Sequence, residues 1–194
     1  MRGEILRIVG FAAWAAIAMA QAQAPEIDIY LEDGQSIPPI ILAKAEATTT
    51  RIFAAIDIKV NCHVGSERKG AETAISLKID NEEPSESHPG ALGFSTPYAV
   101  SGTRIHVLFD RVRSGKTPNV AGPLLGHVMA HEIAHVLEGY ASHSGVGIMK
   151  PYWDNSDFAK MALHPLSFSP ADVEAIRAGV ARMSAHSVPG QSPR

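Results

Sequence analysis

The chain contains one cysteine, Cys62, so no internal disulfide framework can hold it together. Aromatic residues make up 6% of its 194 residues, against 45% hydrophobic overall, so any core must be built from aliphatic side chains. Lys and Arg number 17 and Asp and Glu 20, for a formal charge of −3. That balance leaves no broad basic surface, and nucleic acid is not an expected partner. With 13 Pro and 16 Gly, the sequence is loop-rich yet well short of the roughly 25–30% of low-complexity chains. Long apolar stretches are missing too. The run from Ile8 to Ala20 falls short of the roughly 20 residues that span a bilayer, and nothing later approaches it.

That short run has another reading. Arg2 and Arg7 precede it, and the small residues of Ala20-Gln21-Ala22 follow it, which is the order of a cleavable export signal. We expect a signal peptide at 1–22 cleaved after Ala22, a single domain over 23–186 and a flexible tail at 187–194. Localisation would then be secreted or periplasmic, with no membrane span after cleavage. A monomer is expected.

Alternation of Ile27, Ile29 and Leu31 with polar neighbours predicts a first strand. Pro38-Pro39 leads into a helix carrying Ile41, Ala45, Thr48, Ile52 and Ala55 at helical spacing. Ile58, Val60, Cys62 and Val64 predict one apolar face of a second strand, with Cys62 a small core residue. Ile75, Leu77 and Ile79 mark a third strand, and Ile105, Val107 and Phe109 another, on which His106 reads as a surface histidine. Residues 91–100 are irregular, with room for a short edge strand. Residues 111–122 read as a loop, Pro123 as the first residue of a long helix and Gly139 as its end. Residues 140–168 look irregular. Ser169-Pro170-Ala171-Asp172 then opens a helix with Val173, Ile176, Val180 and Met183 on one stripe. The fold class is α/β (α+β): a twisted mixed sheet of about four or five strands, an active-site helix and a C-terminal helix.

The chemistry lies in His131-Glu132-Ile133-Ala134-His135. On a helix, residues four apart share a face one turn apart, so two imidazoles can converge on one metal ion without bending the backbone. Glu132 projects about 100° away, close to the metal but outside its ligands, where it can take a proton from a bound water. A catalytic zinc takes three protein ligands and keeps one position open. His143 is the first candidate for the third, because a left-handed Gly139 turns the chain back and four residues span up to about 13 Å. Glu138 and Glu174 are alternatives. His127 lies one turn above His131 and does not converge with the pair.

The segment His131 to Ser144, followed by Gly147-Ile148-Met149-Lys150-Pro151-Tyr152, resembles the metzincin zinc peptidases, and the matrixin branch in detail. Here Gly139 lies four residues after His135 and His143 four after Gly139, where the family pattern has three and three. The resemblance implies one catalytic Zn2+, hydrolysis of peptide bonds with Glu132 as general base, and Met149 as an apolar floor beneath the histidines. It further implies oxyanion support from Tyr152, which otherwise reads as a core or rim aromatic. A peptide or protein substrate would pair with an edge strand at Leu92, Gly93 and Phe94. The motifs show no calcium site and no second zinc. Three functions therefore stand open: a secreted zinc endopeptidase with His143 as third ligand, the same enzyme with Glu174 in that place, or a non-catalytic secreted metal-binding or interaction protein on a peptidase-like scaffold.

Overall fold

A computed structural model describes residues 24–33, 37–65, 74–81, 90–97, 104–140 and 142–186. The expected signal peptide and tail lie outside these residues. Among the described residues five strands form one mixed sheet: β1 (Glu26–Asp33), β2 (Lys59–Val64), β3 (Ala74–Asp80), β4 (Gly93–Ser95) and β5 (Ile105–Leu108). Their order across the sheet is β2-β1-β3-β5-β4. All neighbours are parallel except β4, which runs antiparallel to β5 and forms one edge. Among the described residues five helices flank the sheet: α1 (Pro39–Ala54), α2 (Phe109–Arg113), α3 (Pro118–Glu138), α4 (Asn155–Met161) and α5 (Pro170–His186).

The alternation of Ile27, Ile29 and Leu31 buries all three side chains, and Ile75, Leu77 and Ile79 join them on the central strand β3. Fully burying each such side chain is worth roughly 1.5–3 kcal/mol, so this aliphatic layer supplies what the missing disulfides and few aromatics do not. Val64 departs from the expected apolar face of β2: it is 69% exposed at the end of the strand. Cys62 is half-buried against the core, and burial pushes its thiol up to about 12, so it is unreactive near neutral pH. Among the described residues no helix is long and apolar enough to cross a membrane.

Helix α3 begins earlier than the sequence pattern suggests. Pro118 occupies its first turn and Pro123 lies inside it, so the latter part of the expected loop 111–122 is helical. Pro123 cannot donate to the carbonyl of Asn119, but Asn119 is exposed and water can serve that oxygen. The start of that loop belongs to α2, where Asn81 Oδ1 accepts from the Asp110 N–H at 2.8 Å. A second departure is α4, which falls within the expected irregular stretch 140–168. Its N-cap is Asp154, paired with Asp157 in a reciprocal capping box, and Lys150 Nζ bonds both carboxylates.

From Ala121 onward α3 is almost wholly buried, because α1 and α5 press on it through residues without bulk. A Cβ on Gly126 would stand 2.6 Å from the Ala45 carbonyl oxygen and 2.6 Å from Thr48 Cβ, and one on Gly122 2.6 Å from Lys44 Cβ. Thr49 Oγ1 closes the crossing by donating to the Gly126 carbonyl at 3.1 Å. On α5, a Cβ on Gly179 would overlap the Leu137 carbonyl oxygen at 1.8 Å. Replacing Gly126 with Ala should therefore destabilise the protein by about 1–3 kcal/mol or more, read from the midpoint of denaturant unfolding. Gly145, with nothing within 4 Å of its added Cβ, should tolerate Ala within about 0.5 kcal/mol. Equal effects at the two glycines would contradict this packing.

Candidate metal centre

Helix α3 presents His131 and His135 one turn apart, and the Nε2 atoms of the two rings lie 3.1 Å from each other. Gly139 ends the helix in the left-handed conformation, with φ 78°. The Leu137 and Glu138 carbonyls at this end accept from Arg182 Nη2 at 3.1 Å each. The chain then turns back and brings His143 to the pair, with ring centroids 5.3 Å from His131 and 4.9 Å from His135. One nitrogen from each of the three rings lies within 4.8 Å of the others. Ligand nitrogens at the usual zinc distance sit about 3.3 Å apart in a tetrahedron, so small side-chain rotations bring this set to coordination.

The loop carrying His143 is fastened on both sides. Ser144 donates its N–H to the Met149 carbonyl at 2.9 Å. Its hydroxyl lies 2.9 Å from the Val146 carbonyl and 3.2 Å from Asp172 Oδ2. Asp172 belongs to the capping box of α5, accepting from the Ser169 N–H at 2.9 Å while its own N–H donates to Ser169 Oγ at 3.3 Å. The start of the C-terminal helix thus anchors the segment beside the third imidazole.

Hydrogen bonds assign the tautomers of the rings. His131 Nδ1–H donates to the Ile148 carbonyl at 2.9 Å, which leaves Nε2 bare for a metal. The same carbonyl accepts from Trp153 Nε1 at 3.2 Å, and the Trp153 ring stands edge-on to His131 with centroids 5.7 Å apart. His135 Nδ1 is buried beside the Tyr140 backbone, which favours a proton there, so a proton displaced from Nε2 by a metal has a place to go. His127 is different. Its Nδ1 donates to the Pro123 carbonyl at 2.7 Å and its Nε2 accepts from the Leu166 N–H at 3.0 Å, so both nitrogens are used in packing.

Burial lowers all three imidazoles of the cluster. His131 falls to about 4, and His135 to about 3 with help from its two histidine neighbours. Burial lowers the more exposed His143 as well. The cluster is therefore neutral at physiological pH and ready to ligate without losing protons. Glu132 is 6% exposed, and burial raises its carboxyl to about 7, opposed by the Ser95 hydroxyl. Glu138 is also buried and raised to about 7, first by burial and then by Asp172.

Neither Glu138 nor Glu174 belongs to the cluster; Glu174 is exposed on α5. Met149 is fully buried in the core next to the Ile148 carbonyl. Tyr152 is 73% exposed, so it belongs to the surface and not the core. Leu92 lies just before β4 while Gly93 and Phe94 lie on it, all three half-buried. His106 is stacked on Phe94 across the β4–β5 pair, with centroids 4.7 Å apart. Sequence reasoning missed Trp153, Ser95 and the Ser144–Asp172 link. The capping pattern at Ser169 is a usable signal for Asp172, but nothing local marks the other two.

These environments set different expectations for the histidines and for the carboxyl. His127→Ala should lower stability while the protein still binds one metal ion, whereas His131→Ala, His135→Ala and His143→Ala should each abolish tight binding, as read by competition with a chelating dye. In the metal-free protein, Glu132 holds its proton up to about pH 7 folded but only to about 4.5 unfolded. The folded state thus binds the extra proton, and this group makes stability fall as pH rises through that interval. The histidine shifts act in the opposite sense, but below about pH 6.5, the ordinary histidine value. Between pH 5 and 8 the metal-free wild type should therefore lose about 1–3 kcal/mol of stability relative to Glu132→Gln in denaturant titrations, most of it below pH 7. An identical slope in the two proteins would contradict the burial of an ionisable Glu132.

Comparison with known proteins places the architecture but not the sequence. No family model and no curated protein matches the chain. Among solved structures, an archaemetzincin from Methanopyrus kandleri is similar, with a TM-score of 0.54 at 13% identity over 82% of this chain and 98% of that one. This likeness, together with the five-stranded mixed sheet, shows that the chain has a metzincin-like fold.

Proposed function

We propose that this chain is a zinc-dependent endopeptidase that works outside the cytoplasm as a monomer. One observation carries the reading: three imidazoles converge, and the residue following the first of them is a buried carboxylate. Three nitrogen ligands with an open fourth position are the donor set of a catalytic zinc, and a softer metal site would draw on thiolates that this chain lacks there. The export-signal pattern of residues 1–22 and the metzincin-like fold agree with this reading.

Zinc at such a site supplies Lewis acidity toward a carbonyl oxygen and a water of lowered pKa. The remaining chemistry belongs to side chains. Glu132 accepts the water proton as the water oxygen attacks the scissile carbonyl, then gives it to the amine nitrogen as the C–N bond breaks. In the metal-free protein burial holds this carboxyl near 7, and a divalent cation beside it favours the charged form that accepts the water proton. His131 and His135 keep their places because the Ile148 carbonyl and the buried walls of α3 fix their rings. Strand β4, at the sheet edge beside α3, turns the backbone groups of Gly93 and Ser95 away from β5 and toward an extended peptide, while Phe94 pairs with His106. Tyr152 stands exposed three residues beyond Met149, on the segment that supports His131, and can serve the oxyanion.

Purified protein incubated with casein should cleave it, lose that activity to a chelator and regain it with zinc. Glu132→Gln should lower kcat by about 10²–10⁴-fold while zinc content stays at one per chain. His143→Ala should lose the zinc, and Glu174→Ala should keep it. Zinc binding without any cleavage would identify a metal-binding protein on this scaffold, and loss of zinc in Glu174→Ala alone would move the third ligand to α5.

A further inference from the structure

Gly93 and Ser95 are two residues apart on β4 and so point to the same side of the sheet. That side is α3. A Cβ at Gly93 would stand 3.3 Å from Glu132 Cγ, 3.1 Å from Val128 Cγ1 and 3.0 Å from the His106 carbonyl oxygen. The strand backbone therefore rests on the aliphatic part of Glu132, and the next side chain on that face, Ser95, brings its hydroxyl toward the carboxylate. Phe94 points to the opposite side, where it stacks on His106 at an interplanar angle of 5°. The register is pinned at both ends, by Leu108 N–H to the Leu92 carbonyl at 2.9 Å and Thr96 N–H to the Arg104 carbonyl at 2.8 Å. Ser95 is thus held opposite the general base by a strand that is also the last of the sheet among the described residues.

We propose that Ser95 is a positioning residue that holds the Glu132 carboxylate in one orientation throughout proton transfer and links peptide docking on β4 to that orientation. The proposal rests on the peptidase reading of the site. A hydroxyl carries one donor and two acceptor lone pairs and rotates freely between them. It donates to Glu132 while the carboxylate is charged. After Glu132 takes the water proton, the hydroxyl turns and accepts from the new carboxyl O–H. When that proton passes to the amine nitrogen as the C–N bond breaks, the first arrangement returns. Ser95 neither gains nor loses a proton, and the one proton moved is the one released by the attacking water. A substrate strand that pairs with β4 also presses Gly93 and Ser95 onto Glu132, so binding and orientation are mechanically joined.

The test compares zinc-loaded wild type, Ser95→Ala, Ser95→Thr and Glu132→Gln, by turnover of a quenched fluorescent peptide and by 13C NMR of glutamate carboxyls. The Glu132 resonance is identified by its absence in Glu132→Gln. In Ser95→Ala it should shift, kcat should fall about tenfold, and KM and bound zinc should not change. Ser95→Thr, which keeps the hydroxyl, should restore the resonance and bring kcat within about threefold of wild type. A Glu132 resonance unmoved in Ser95→Ala, or a kcat within twofold of wild type, would overturn the proposal. Should the wild type cleave no peptide, the peptidase reading fails, and the resonance alone decides whether Ser95 holds Glu132.

Discussion

The structure turns on the burial of two imidazoles and a carboxylate within one turn and a half of a single helix. Each of His131, Glu132 and His135 is less than a tenth exposed. Polar groups taken from water without partners are costly, and a sequence that places three of them side by side in a core is constrained to compensate. Compensation here takes two forms. The rings lose their charge, and their free nitrogens face one another and His143 instead of solvent. What this leaves, three neutral rings whose nitrogens converge, is a set that a divalent cation can satisfy.

The rest of the fold keeps that turn of helix in place. Glycines on α3 admit α1 to near backbone contact, and Gly179 does the same for α5, so the helix cannot shift or rotate without a clash. The Ile148 carbonyl, shared by His131 and Trp153, sets the first ring from below. The α5 capping box reaches Ser144 and thereby the loop of the third ring, so elements far apart in sequence are locked to the same three nitrogens. On the sheet side, β4 rests on Glu132 because position 93 has no side chain. Local rigidity of this kind is what a preorganised site requires.

Much of this is legible in residue order. The i, i+4 spacing of His131 and His135 is a geometric statement about a helix, and Gly139 marks its end, so chain reach admits His143 to the pair but does not choose it over Glu138 or Glu174. Strand alternation locates the core side chains of β1 and β3. The start of α3 is harder to read, because Pro123 looks like a first-turn proline as much as Pro118 does, and the polar residues around Thr117 give no apolar rhythm to extend. Helix α4 is hidden for a similar reason: its capping acids at 154 and 157 are visible, but seven residues are too few for a periodicity. Alternation alone points Val64 into the core, although at the last position of β2 the side chain is 69% exposed. The roles of Ser95 and Trp153 depend on contacts with residues distant in the chain or off any regular period, which no local pattern records.

The account stands on three imidazoles sharing one ion. X-ray absorption at the zinc edge of the purified, zinc-loaded protein measures that directly. The prediction is three imidazole nitrogens at about 2.0–2.1 Å with the remaining coordination completed by oxygen. A spectrum with two imidazoles or fewer, or with a sulfur scatterer from Cys62, would contradict it.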